Sequence, residues 1–196
     1  LGDASIPKRK NNISPRSMTQ ACKYKEYLEY ISKRLSDVKV TCSTILSRWI
    51  KDERCKNKGY NQHFLQTRSY KTFEIFRESW YKNGKKIIPN DIGKDLTPRV
   101  LAVWVMDDGC RTRNEIILNT QSFTLNEQNL LLEELVKLYG IHGTINRDRR
   151  NYRLRFGKIA AEKLSRLIEP FMIKSLLTKI VPVSTELGKM TEPVVE

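Results

Sequence analysis

The chain has 196 residues, enough to bury one large core or two small ones. It carries 36 Lys+Arg against 22 Asp+Glu, a net charge of +14, so a polyanion is the default partner, nucleic acid first and an anionic membrane second. No apolar run approaches the about 20 residues that a membrane-spanning helix needs, so a membrane span is excluded. The four cysteines, Cys22, Cys42, Cys55 and Cys110, form no CxxC pair, and His63 and His142 sit far from any of them in a cluster. Zinc ligation and a disulfide framework are both disfavoured, which fits a reducing compartment.

In chain order, Leu1-Gly2-Asp3-Ala4-Ser5 reads as the tail of a helix ending in Gly-Asp, with no initiator Met, so the chain is expected to be a fragment. Ser5–Arg9 and Ser17–Lys23 pair as a hairpin across the basic, turn-rich residues 10–16. Tyr24–Ser36 is helical, with Tyr24, Leu28, Ile31 and Leu35 spaced by three and four. Thr44–Ile50 and Gln62–Thr67 read as strands around a charged segment. Lys71–Tyr81 returns to helix with Phe73, Phe76 and Trp80 on one face. Asn83-Gly84 breaks it, and Lys85-Lys86-Ile87-Ile88-Pro89 leads into a loop.

The organising stretch is 96–109. Thr97 before Pro98 reads as an N-cap followed by proline at the first helical position. Val100 to Met106 holds no charged or amide side chain, so this helix must be buried on most sides. It ends in two carboxylates, Asp107 and Asp108, and a helix-stopping Gly109. Carboxylates are disfavoured at the negative end of a helix dipole, so a positive group, a divalent metal above all, is expected beside them.

Beyond it, Glu115–Gln121 is a strand with Ile116, Leu118 and Thr120 on one face. Thr124 and Glu127 form a capping box that opens a helix to Tyr139, closed by Gly140, with Leu131, Leu135 and Leu138 on the inner stripe. Ile141–Arg149 and Tyr152–Phe156 form a hairpin, and Lys158–Ile168 is the last clear helix.

The halves repeat: each reads Asp at a helix end, two strands, helix, two strands, helix, then Lys-x-x-Pro. The first runs from Asp3 to Lys86-Ile87-Ile88-Pro89, the second from Asp108 to Lys179-Ile180-Val181-Pro182. The expected fold class is α+β, two tandem αββαββα units (1–95 and 96–196) about a pseudo-two-fold axis, with the motif helices buried between them. That arrangement brings Asp3 and Asp108 together, where two carboxylates repel unless a proton or cation joins them. Mg²⁺ takes one or two carboxylates plus phosphate oxygens and water, the set used to hydrolyse phosphodiesters. Lys86 and Lys179 are placed to neutralise charge developing on phosphorus. A twisted antiparallel sheet with a basic face can lie in a major groove. The candidates for nucleic-acid contact are Lys8, Arg9, Arg16, Arg48, Lys51 and Arg54 in the first half and Arg111, Arg113, Arg147, Arg149, Arg153 and Arg155 in the second. Tyr60, Tyr70 and Tyr152 are candidate stackers for RNA bases.

Trp104-Val105-Met106-Asp107-Asp108-Gly109, with Leu118-Asn119-Thr120-Gln121-Ser122-Phe123 behind it, resembles the second motif region of LAGLIDADG homing endonucleases, closest to the single-chain omega-nuclease branch of organellar introns. Leu1-Gly2-Asp3-Ala4 is similar to the end of that branch's first motif, and Lys85-Lys86-Ile87-Ile88-Pro89-Asn90 matches a further segment. The resemblance implies a monomeric, intracellular, organellar (mitochondrial or plastid) endonuclease with saddle-shaped sheets on a long duplex DNA site. It also implies dependence on Mg²⁺, with Mn²⁺ or Ca²⁺ substituting for binding. By motif position Asp108 rather than Asp107 is the metal ligand, Asp3 is its partner, Lys86 and Lys179 match active-site lysines, and Gln121 and Asn119 order nearby water or DNA. Cys110 stands where the branch often has a second glycine. The same fold serves intron maturases that bind RNA, so an RNA-binding splicing factor and a non-cutting DNA-binding regulator stand as the alternatives.

Overall fold

The structure, a computed structural model, describes residues 2–7 and 16–183. It is an α+β arrangement with antiparallel sheets. β1 (Thr19–Cys22) precedes α1 (Lys25–Asp37), the hairpin β2 (Leu46–Lys51) and β3 (Gly59–Gln66), and α2 (Thr72–Trp80). These strands pair in the order β1-β3-β2. Among the described residues the expected opening hairpin shows one bridge, between Ser5 and Thr19; residues 8–15 lie outside them. A two-residue ribbon follows, β4 (Tyr81–Lys82) against β5 (Lys85–Lys86), with Tyr81 paired to Lys86. Asn83-Gly84, whose residue types predict a break, is the turn of this ribbon, both residues having positive φ.

The second half runs α3 (Pro98–Asp108), β6 (Gly109–Thr112), β7 (Glu115–Leu118), α4 (Leu125–Tyr139), β8 (Thr144–Asp148), β9 (Asn151–Phe156) and α5 (Lys158–Ile168). Its four strands pair in the order β6-β7-β9-β8. A 3₁₀ turn, Lys174–Lys179, delivers Lys179. α3 is the second motif helix, and among the described residues Gly2–Ala4, expected as the tail of the first, is non-helical.

Local chemistry sets these elements. Thr97 Oγ1 accepts the Val100 N–H at 3.3 Å, the cap expected before Pro98. The capping box forms with Thr124 and Glu127, and Glu127 Oε1 also accepts the Ile88 N–H at 2.9 Å, tying the segment behind Lys86 to α4. Gly140 ends α4 in the left-handed region, at φ 61°. Gly109 does not stop α3 that way: it is extended, at φ −76°, because β6 begins on it. A Cβ there would stand 2.4 Å from the Val105 carbonyl oxygen.

The core centres on α3. Leu101, Ala102, Trp104, Val105 and Met106 are buried, joined by Ile116, Leu118, Leu154 and Phe156 from the second sheet and Leu131, Leu135, Leu164 and Ile168 from α4 and α5. Leu138, placed on the inner stripe by spacing, is exposed, since α4 turns its last residues outward ahead of Gly140. Val100 and Val103 instead face a cavity of about 610 Å³, shared with Ile31 and Leu35 of α1 and Phe73 and Trp80 of α2. Phe76 lines the same cavity but is 48% exposed, so the apolar face of α2 is only partly covered.

One polar cluster lies inside. Thr120 and Gln128 are fully buried. Thr120 Oγ1 donates to Gln128 Oε1 at 2.9 Å, and Gln128 Nε2 reaches the Thr120, Phe123 and Tyr152 carbonyls at 3.1–3.2 Å. Gln128→Leu leaves these groups desolvated and unpaired, so it is expected to destabilise the fold by about 2–3 kcal/mol, read as a lower urea midpoint at unchanged slope.

Candidate nuclease site and nucleic-acid face

Asp107 and Asp108 close α3, and Asp3 lies in the bend beside them. The Asp3 backbone N–H donates to Asp107 Oδ2 at 3.0 Å, a contact across 104 residues of chain. Gln20 Nε2, from β1, donates to Asp107 Oδ1 at 3.0 Å. Tyr27, fully buried on α1, lies near the same carboxylate, and its hydroxyl donates to the Val103 carbonyl at 3.5 Å. Gly2 has φ 75°, and a Cβ on it would sit 2.1 Å from Asp107 Oδ2. Glycine is therefore required at Gly2 both by its left-handed backbone and by the carboxylate packed against it.

Burial pushes the Asp107 carboxyl up to about 7 against the lowering by the Asp3 N–H that it accepts, and burial together with the Asp3 charge pushes the Asp108 carboxyl up to about 6. Lys86 and Lys179 pull Asp108 back toward its ionised form. Both lysines are drawn down by burial and held up by the carboxylates around them. Their ammonium groups occupy related places. Lys86 Nζ donates to the Gly2 and Ala4 carbonyls at 2.6 and 2.8 Å, and Lys179 Nζ to the Met106 and Asp107 carbonyls at 2.5 and 3.0 Å. Each therefore holds the carbonyl just before an acid, Gly2 before Asp3 and Asp107 before Asp108. The positive charge required at the end of α3 is supplied in part by Lys179, which satisfies carbonyls that the helix leaves free.

The donors here are hard oxygens. Among the described residues no group of three or more His, Cys, Asp and Glu side chains forms a cage for a metal ion. The Asp108 carboxyl, raised by burial and by the neighbouring Asp3 charge, could share with Asp3 an ion such as Mg²⁺, which takes the rest of its shell from water and phosphate.

The raised carboxyls set a pH dependence. Both lie above the ordinary aspartate value of 3.8, so the folded state keeps protons that the unfolded state has released, and stability falls as pH rises from about 4 to about 7. Without divalent ions, Asp107→Asn and Asp108→Asn are each expected to raise the melting temperature more at pH 7.5 than at pH 5. Equal shifts at the two pH values would contradict the assignment.

Strand register sorts the basic candidates. In the first sheet Gln20 and Leu65 pair on the buried face, so Arg48, opposite Gln62, lies on the open face with Phe64 and Tyr60. Lys51, opposite Gly59, has the other parity. In the second sheet Ile116, Leu118, Leu154 and Phe156 are buried, leaving Arg153 and Arg155 on the open face. Arg155 Nε pairs with Glu115 at 2.8 Å, and Arg153 stands 3.9 Å from Asp148. Arg111 and Arg147 share the parity of the buried residues: Arg111 donates to the Ile180 carbonyl, Arg147 to that of Arg149. Arg113 and Arg149 occupy hairpin tips with positive φ, and Arg54 pairs with Asp52 in a turn. Arg16 bridges to Tyr70; Lys8 and Arg9 lie outside the described residues. Gln121 donates to Asp148 at 2.9 Å, and the Asn119 N–H donates to the Asp108 carbonyl at 3.1 Å, which anchors that loop to the end of α3. Gln20, Tyr27 and the bond from Asp3 to Asp107 escaped the sequence reading; the signal for the last was the mismatch of Gly2 with Asp107 at equivalent places in the repeat.

The sequence profile of the LAGLIDADG DNA endonuclease family matches residues 1–164. A cytochrome b mRNA maturase bI2 of Debaryomyces hansenii is 31% identical over 185 residues, covering 92% of this chain and 70% of that protein. A probable intron-encoded DNA endonuclease 3 of Mycosarcoma maydis is 30% identical over 125 residues, 60% of this chain and 92% of that one. Among solved structures, the homing endonuclease I-WcaI bound to its DNA recognition sequence superposes with a TM-score of 0.80 at 26% identity, over 92% of this chain and 81% of its own. The α+β fold with its antiparallel sheets superposes on that of a homing endonuclease, the family profile spans most of the sequence, and the chain belongs to the LAGLIDADG DNA endonuclease family.

Proposed function

We propose that this chain is a site-specific DNA endonuclease that hydrolyses phosphodiesters in both strands of a duplex target, as a monomer whose halves, 1–95 and 96–196, each supply one acid and one lysine. The observation that carries this reading is the convergence of Asp3, Asp108, Lys86 and Lys179 at the end of one buried helix, each lysine on the carbonyl before an acid. The carboxylates of Asp3 and Asp108 would hold Mg²⁺, which supplies a nucleophilic water and steadies the leaving oxygen. Lys86 and Lys179, drawn down by burial and held up by the carboxylates beside them, would offset negative charge building on the phosphate. Arg48, Arg153 and Arg155, on the open faces, contact the duplex, and the turn residues Arg54, Arg113 and Arg149 reach its backbone. The +14 charge supports this by favouring a polyanion.

The likeness to a maturase that spans 92% of the chain favours a second reading, an RNA-binding splicing factor of mitochondrial introns. Incubation with Mg²⁺ and a library of duplex DNA fragments, followed by sequencing of new ends, separates the two. Discrete double-strand ends at one site are expected. An intact library together with tight, salt-resistant binding to intron RNA would overturn the nuclease reading in favour of the maturase.

A further inference from the structure

Among the described residues, two exposed large apolar side chains lie on strands, Leu46 and Trp49, both on β2. Trp49 is accounted for by packing. It has the parity of the buried Leu65, and its indole covers Gly59, where a Cβ would stand 2.8 Å from the ring. Leu46 has no such role. It is 67% exposed, pairs with Phe64 across the β2–β3 ladder and lies on the open face of the first sheet. Arg48, the next β2 residue on that face, sets its guanidinium over the Phe64 ring, 5.5 Å from the centroid, and the three side chains line one shallow recess. A cation held by a ring keeps its N–H donors, and a ring face so covered is no platform for an unstacked RNA base. The open face of the second sheet is built otherwise. There Arg155 is paired with Glu115, Arg153 approaches Asp148, and Ile117, between Cys110 and Arg155, is half-buried.

We infer that Leu46, with Phe64 opposite it, is a specificity-determining contact for thymine: the pair receives the C5-methyl group of one thymine in the half-site that the first sheet covers. The inference rests on the nuclease reading, which lays the open faces on duplex DNA, and it names what this face selects. The charge of +14 draws a polyanion to the chain, and Arg48 carries positive charge to the edge of the recess. In the major groove the thymine methyl is the apolar mark that tells thymine from cytosine. Seating it against Leu46 takes apolar surface of both partners out of water, which offsets the exposure that Leu46 has in the free chain.

The test reads binding by the full chain, with Ca²⁺ in place of Mg²⁺. Selection from a random-sequence duplex library gives the preferred site. Each thymine of that site is then replaced singly by deoxyuridine, which removes the C5-methyl and nothing else. One replacement should weaken binding of the parent about fourfold, the value of one buried methyl group, and should not weaken binding of Leu46→Ala. Leu46 is exposed, so alanine there leaves the fold intact. Ile75→Ala, as exposed but on α2, should keep the parental penalty. A parent that binds every uracil duplex as tightly as the thymine one, or a penalty that survives in Leu46→Ala, overturns the inference. A chain that selects a duplex yet cuts none in Mg²⁺ overturns the nuclease reading, and the uracil series then decides the thymine contact by itself. A chain that enriches no duplex sequence overturns both.

Discussion

Asp108→Asn is expected to lower double-strand cleavage by roughly a thousandfold or more while leaving duplex affinity within about twofold of the parent. The substitution keeps the size of the side chain and the end of α3, but removes the charge that faces Asp3. Contacts from the open sheet faces lie apart from this point, so binding and cutting separate. A filter-binding titration in Ca²⁺ beside a cleavage time course in Mg²⁺ checks both halves of the statement. Full-rate cutting by the variant would remove Asp108 from the mechanism. Equal loss of binding would show that Asp108 holds the scaffold rather than the reaction. Because burial and Asp3 already push its carboxyl up to about 6, the variant should also melt higher than the parent at pH 7.5 when no divalent ion is present.

The largest expected effect on stability is at Trp104. It is the largest fully buried side chain of the helix that carries both acids. Trp104→Ala should cost about 3–5 kcal/mol, a large share of a domain's net stability, and lower the melting temperature by roughly 10 °C. Trp104→Phe should be far milder, about 1 kcal/mol. Its indole Nε1 is buried without a hydrogen-bond partner, so phenylalanine removes an orphaned donor along with a few packed atoms. Thermal melts of both variants decide the point, and a phenylalanine variant as unstable as the alanine one would mean that the indole N–H is satisfied. A cleavage assay at a temperature where Trp104→Phe stays folded should retain activity, since Asp107 and Asp108 keep their helix.

Much of the fold was legible because it is written in local chemistry. Thr97-Pro98, the box of Thr124 and Glu127, and Gly140 are each short-range hydrogen-bonding or backbone preferences, and each appears where its residues require. Burial of α3 followed from a run with no polar side chain, and only its Val100 and Val103 edge, turned to the cavity, departs from that. Periodicity was less reliable at element ends: Leu138 has the right spacing yet lies where α4 has left the core. Asn83-Gly84 was read as a break, but it is a turn whose two short strands set Lys86 toward Gly2.

Of the candidate site, the residue types were legible and the pairings were not. The repeat selected Asp3, Asp108, Lys86 and Lys179, but no local signal says that each ammonium lies on the carbonyl before an acid. The basic residues were chosen by density, and density does not carry strand register. A shift of one residue exchanges the faces of a strand, which is why Arg153 and Arg155 lie on the open face while Arg111 and Arg147 share the parity of the core. Asp107 looked like the idle member of a double aspartate. Its partner, the amide of Asp3, comes from the far end of the chain and carries no side-chain signature.

We propose that Asp3 and Asp108, one from each half, form a single cation-holding cleft. A titration of the parent chain, Asp3→Asn and Asp108→Asn with Mn²⁺, followed by paramagnetic resonance in the presence of duplex DNA, tests it most directly. Loss of tight Mn²⁺ binding in either variant, with the fold intact by circular dichroism, is the predicted result. Unchanged binding in both variants would place the ion elsewhere and contradict the claim.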